Sequence, residues 1–179
     1  MGKNVLLGVT GSIAAYKACE LVGKFRKAGF SVRCIMSRDA GYFITPLTLE
    51  VLSGKKVVSD MFSRPEKLDP AHISLTDEAD VILIAPASAD AIGKIASGIC
   101  DDIVTCSVAA AGCPVVVAPA MNDRMYTNPV IQDKIGYLKE KGFIFIDPVK
   151  GHLACGREGV GRLAPLDRIV EETQKALAP

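Results

Sequence analysis

Five short apolar runs punctuate the chain, at residues 4–10, 31–36, 81–85, 114–118 and 143–146, with segments of helical composition between them. Runs of that length read as strands, and strands that alternate with helices imply crossover connections and therefore parallel pairing. Residues 81–84 and 115–117 are apolar without alternation. That is the pattern of strands covered by helices on both faces. The expected architecture is α/β: a single-domain, Rossmann-like, doubly wound parallel sheet spanning residues 1–179.

The segment after Gly11 places Ala14, Ala15, Ala18, Leu21, Val22 and Phe25 on overlapping helical faces and stops at Ala28-Gly29, where glycine suits a C-terminal cap. A last helix begins near Pro165 and carries Leu166, Ile169, Val170 and Leu177. No internal repeat, low-complexity tract or linker interrupts this order. The most polar stretch, residues 63–70, reads as a surface loop leading to His72 and as a place for contact with a neighbouring subunit.

With 179 residues, 49% of them hydrophobic, the chain can bury a full core without staples. Its net charge is +1, from 21 basic and 20 acidic residues, with no basic block. That leaves no footprint for nucleic acid or a membrane surface and favours a small neutral or anionic ligand. No signal-peptide pattern or spanning segment is visible, and Leu6 stands where myristoylation wants Ser or Thr, so a cytoplasmic protein is expected. The six cysteines show neither C-x-x-C nor Cys/His ligand spacing, which predicts free thiols and no metal.

Candidate chemistry gathers at strand ends. Residues 9–15 form a strand-to-helix turn, where free amides and the helix dipole favour a phosphate; Gly11 allows close approach and the Ser12 hydroxyl adds a donor. An ordinary βα turn looks much the same, and the spacing from Gly8 to Ala14 lacks the full dinucleotide fingerprint. The second strand ends in Met36-Ser37-Arg38 rather than in the acidic residue that holds a dinucleotide ribose. A mononucleotide is therefore preferred, with Asp39 the one residue arguing otherwise. The third strand runs into the small residues Ala87, Ser88, Ala89 and Asp90, which let a planar ring approach backbone amides. FMN fits these requirements, although Ser88 can equally be a helix cap.

Two further segments are more specific: Pro119-Ala120-Met121-Asn122-Asp123-Arg124-Met125-Tyr126, and Gly151-His152-Leu153-Ala154-Cys155-Gly156-Arg157-Glu158-Gly159-Val160-Gly161-Arg162. Asn122 emerges at the end of a strand with an acceptor and two donors to offer, or serves as a helix N-cap. Cys155 sits among four glycines, which predicts a mobile lid; Arg157 or Arg162 nearby would lower its thiol pKa. The other cysteines read as passive. His72 belongs to the residue type that titrates nearest neutrality and suits a base, or else it caps or packs; His152 reads as a loop residue.

The PAMNxxMY and LACGxxGxGRL segments, the GSIAAYK turn at Gly11 to Lys17 and the His72-Ile73 pair resemble the homo-oligomeric flavin-containing cysteine decarboxylases, over nearly the whole chain. Within them the likeness is to the branch acting on 4′-phospho-N-pantothenoylcysteine in coenzyme A biosynthesis. The resemblance implies FMN held by Gly11, Ser12, Ile13, Ser37, Ser88, Ala89, Asp90, Ala91 and Ala120. It implies His72 as the base, Cys155 as the acid, and Asn122 with Met125 against the substrate. Simple loss of CO2 would leave an unstabilised carbanion, so the thiol-bearing carbon is first oxidised to a thioaldehyde; decarboxylation gives an enethiolate, which Cys155 protonates as the flavin returns its electrons. The product would be 4′-phosphopantetheine.

The same resemblance implies assembly as trimers or larger sets of trimers, with His72 acting on a flavin held mainly by another copy. It also implies a ligase as partner domain or partner protein. Two alternatives remain open from the sequence: a peptidyl-cysteine decarboxylase of lantibiotic maturation, and a non-catalytic FMN-binding regulatory subunit. The related flavin prenyltransferases should lack the His-Asn-Cys set.

Overall fold

Alternate residues of the central strands enter two different apolar clusters, one on each side of a sheet. Val5, Leu7 and Val9 point one way and Leu6 the other; Val81, Leu83 and Ala85 separate in the same manner from Ile82 and Ile84. This is why the strands read as unbroken hydrophobic runs. The computed structural model describes residues 3–62, 71–154 and 156–177. The expected 63–70 loop and Cys155 lie outside the described residues.

Strands β1 (Asn4–Val9), β2 (Ser31–Met36), β3 (Val81–Ala87), β4 (Val115–Pro119) and β5 (Ile144–Phe145) pair in parallel in the order β2-β1-β3-β4-β5. The parallel sheet expected from the pattern is the one observed. β5 is shorter than the predicted run because it is an edge strand with β4 as its sole neighbour, although the Ile146 amide still donates to the Val117 carbonyl at 2.9 Å.

One face is covered by α1 (Lys17–Lys27), α2 (Pro46–Ser53) and α8 (Leu166–Ala176), which contribute Leu21, Phe25, Leu49 and Ile169. The other is covered by α3 (Ala71–Asp77), α4 (Ala89–Ala96), α5 (Ile103–Ala109) and α7 (Pro129–Glu140), through Leu75, Ile92, Val104 and Leu138. Leu83 is fully buried at the centre of the sheet, and truncating such a residue to alanine costs about 2–5 kcal/mol. α1 is capped by Ala28 at its C-terminus, and Gly29 follows with φ of 86°, as its glycine predicts. Among the described residues no helix is long and apolar enough to cross a membrane.

The glycine-rich segment differs from expectation. It is a two-stranded antiparallel ribbon, β6 (Val149–His152) and β7 (Glu158–Arg162), joined by residues 153–157. A short helix, α6 (Asp123–Tyr126), lies beside β7.

Candidate functional site

From β1 the chain moves outward to β2 and then returns across β1 to β3, so the loops leaving β1 and β3 diverge at their carboxyl ends. Open α/β sheets bind ligands at such a switch point. Thr10, 1% exposed, ties the two strand ends together: its hydroxyl donates to the Pro86 carbonyl at 2.7 Å and accepts from the Ser88 amide at 2.8 Å. In the sequence Thr10 stands only as the last residue of a strand and part of the turn after it, with nothing to mark this tie.

Three cap residues follow the three central strands. Ser12 caps the 3-10 turn Ile13–Tyr16, accepting from the Ala14 amide, and its hydroxyl proton goes to the Ala120 carbonyl at 3.0 Å. An anion at this turn would therefore be met by backbone amides. Ser88 caps α4 by accepting from the Ala91 amide at 3.2 Å, and Asn122 caps α6 by accepting from the Arg124 amide at 2.9 Å. A helix that directly follows a parallel strand starts at the carboxyl edge of the sheet, so here cap and wall of the site are the same residues. Ser88 and Asn122 are therefore helix caps that also line the cavity.

These turns enclose a cavity of about 700 Å³, within the size range of cofactor sites. Gly11, Ser12 and Ile13 form one wall, Ser88, Ala89 and Asp90 another, and Ala120, Asn122 and Met125 a third. Met121, Tyr16, Lys17 and Phe43 complete it on those sides. Tyr16 lies within the GSIAAYK turn but is not singled out by it, and no sequence signal marks Phe43; a 3-10 turn at Arg38–Tyr42 brings Phe43 to the wall.

Three expected residues lie off the wall. Ser37 caps that 3-10 turn through the Ala40 amide, one layer behind Gly11, where an added Cβ would stand 2.6 Å from the Asp39 Cβ. Ala91 is buried in the first turn of α4. His72 is half-buried at the start of α3, its carbonyl accepting from the Thr76 hydroxyl at 2.9 Å.

The ribbon roofs the cavity with His152, Leu153, Ala154, Gly161, Arg162 and Leu163. Its glycines serve close approach. A Cβ at Gly159 would meet the Asp123 Cβ at 2.6 Å, and one at Gly161 would meet the Met121 carbonyl oxygen at 2.2 Å. The Met121 amide donates to the Gly161 carbonyl at 3.0 Å, and the Arg157 guanidinium pairs with Asp123 at 3.2 Å. The segment expected as a mobile lid is, from 158 to 162, docked on the Asn122 loop. Arg157, expected beside the thiol, is engaged with a carboxylate.

The wall is cationic in balance. Its one carboxylate, Asp90, lies 3.1 Å from Lys94, whose amine is held above the ordinary lysine range chiefly by its hydrogen bond to Asp101. Lys17 and Arg162 face the cavity without a carboxylate partner among the described residues. Burial pushes the thiols of the half-buried Cys19, Cys106 and Cys113 up, and that of the core residue Cys34 to about 12, as befits passive cysteines.

The small-residue walls, converging helix starts and cationic balance fit a phosphorylated planar cofactor of the flavin mononucleotide type. Residues 1–178 match the family model described as Flavoprotein. The chain is 44% identical over 180 residues to a probable phosphopantothenoylcysteine decarboxylase of Streptococcus mutans, covering 99% of this chain and 100% of that protein. It is 45% identical to the coenzyme A biosynthesis bifunctional protein CoaBC of Bacillus subtilis over 98% of its own length, and spans 43% of that longer relative. Among solved structures, a cysteine-to-serine mutant of a PPC decarboxylase, complexed with pantothenoylaminoethenethiol, superposes with a TM-score of 0.88 at 34% identity over 98% of both chains. With its sheet, switch-point cavity and sequence in agreement from end to end, this chain belongs to the Flavoprotein family.

Proposed function

We propose that this chain is an FMN-dependent decarboxylase that converts 4′-phospho-N-pantothenoylcysteine to 4′-phosphopantetheine and CO2 in coenzyme A biosynthesis. The observation that carries the reading is the meeting of the Gly11 turn, the Ser88–Asp90 segment and the Asn122–Met125 loop on one cavity beneath the ribbon. Bound there, the flavin supplies a reversible two-electron sink, which a decarboxylation without a neighbouring carbonyl requires. Backbone amides of the Gly11–Ile13 turn and of the α4 start hold it, with Ala89 and Ala120 leaving room for the ring. Asn122 orients the substrate carboxylate, Met125 packs beside it, and Cys155 returns a proton after CO2 is lost.

His72 acts as the base from a neighbouring copy in a homo-oligomer built of trimers. Two features support this: His72 is absent from the wall of its own cavity, and Leu47 and Val51, one turn apart on α2, are 66% and 72% exposed, apolar surface that another copy would cover. The longer bifunctional relatives support a ligase as partner domain or protein. Cytoplasmic location follows from the pathway.

The test is to purify the protein, record its visible spectrum and follow CO2 release from 4′-phospho-N-pantothenoylcysteine beside a peptide ending in cysteine. A yellow protein active on the first is expected. Activity on the peptide alone would transfer the function to peptide maturation, and a yellow protein inert to both would make it a binding module.

A further inference from the structure

We infer that Arg162 is the residue that reads the phosphate of the substrate and so sets the preference for a phosphorylated small molecule over a bare cysteine derivative. The inference rests on the decarboxylase reading above. Arg162 lies on the cavity roof, and its side chain runs over Gly151 on the opposite strand of the ribbon: a Cβ at Gly151 would stand 3.3 Å from Arg162 Cδ and 3.4 Å from a terminal guanidinium nitrogen. Gly151 thus keeps a track clear for this one side chain. Among the described residues no carboxylate takes up the guanidinium: Asp90 is held by Lys94 and Asp123 by Arg157.

The position also separates two anions. The preceding residue, Gly161, is bonded to Met121 beside Asn122, so Arg162 belongs to the substrate side of the cavity, while Lys17 follows the Gly11–Ile13 turn on the cofactor side. From Gly161 the side chain leads across to Gly151, on the strand of the ribbon farther from Met121. A cation on the departing carboxylate would stabilise the ground state and slow CO2 loss, whereas one on the phosphate holds the substrate without touching the reacting bond. The planar guanidinium fits a phosphate with two parallel hydrogen bonds.

The experiment measures kcat/KM for 4′-phospho-N-pantothenoylcysteine and for its dephospho form in the wild type, Arg162→Gln, Arg162→Lys and Gly151→Ala, with flavin content and the dissociation constant of 4′-phosphopantetheine read from the flavin spectrum. In Arg162→Gln the phospho-to-dephospho ratio is expected to fall by roughly 10- to 100-fold, with a matching loss of product affinity. Arg162→Lys should recover part of it, and Gly151→Ala, which crowds the side chain, should lose part. Flavin content should stay at the wild-type level. An unchanged ratio in an active protein, an equal loss on both substrates, or loss of flavin would overturn the assignment and leave the decarboxylase reading standing. Wild-type protein releasing CO2 from neither substrate would overturn that reading and this one with it.

Discussion

The Met121 amide donates to the Gly161 carbonyl at 3.0 Å, and the Met121 carbonyl oxygen lies 2.2 Å from where a Cβ at Gly161 would stand. The Asn122 loop and the glycine-rich ribbon therefore form one layer, with a backbone pressed on a backbone. A segment that looks flexible from its glycines is held at two of them: the missing side chains of Gly159 and Gly161 admit the neighbouring loop.

Gly161→Ala should consequently separate the ribbon from the Asn122 loop. The clash is with backbone, which cannot swing away as a side chain does, so a loss of about 1–3 kcal/mol is expected together with loss of CO2 release. Thermal melting and turnover would show it. Wild-type turnover by the variant would mean that the ribbon is not docked as described.

Thr10→Val should weaken the switch point. The swap keeps the shape but leaves the Ser88 amide and the Pro86 carbonyl each short of a partner in a buried place, at about 1–3 kcal/mol. The flavin should wash out more readily on gel filtration, and Thr10→Ser should restore it. Equal flavin retention in Thr10→Val would reduce the hydroxyl to an incidental contact.

Cys34 predicts an alkaline effect with a definite sign. Burial pushes its thiol from the ordinary 9.0 up to about 12, so its contribution to stability is complete below pH 9.0 and is lost as pH rises toward 12. Across that window the wild type should lose about 1.4 kcal/mol per pH unit more than Cys34→Val. Urea melts of the two proteins at pH 8, 9, 10 and 11 would measure the difference, and parallel curves would refute it.

His72→Asn and Asn122→Asp should each be inactive alone yet regain turnover when refolded together. If the base of one copy serves the cavity of the next, random mixing leaves about a quarter of the sites with both residues intact. No recovery from well-mixed oligomers would place His72 and Asn122 of the same chain in one site and remove the inter-copy arrangement.

The parallel sheet was legible in residues 81–84 and 115–117, because strands sandwiched between helices have no solvent face to alternate with. Helix starts were legible too: Ser12, Ser88 and Asn122 follow strand ends and are favoured caps. What they share was not legible. Their convergence follows from strand order, and strand order depends on contacts between residues far apart in sequence, such as Leu6 with Ile82 and Leu83 with Val116.

By itself, then, the sequence determined the fold class and the family resemblance and singled out nine of the residues that line the cavity, since apolar period, caps and motif spacing are local properties of the chain. Only the tertiary structure decided that Thr10 ties the site together, that Tyr16 and Phe43 join its wall, that Gly159 and Gly161 serve contact rather than motion, and that His72 stands apart from its own cavity. The reason is steric. A glycine in sequence is a missing side chain, and whether the gap frees the backbone or admits another one is settled by what packs against it.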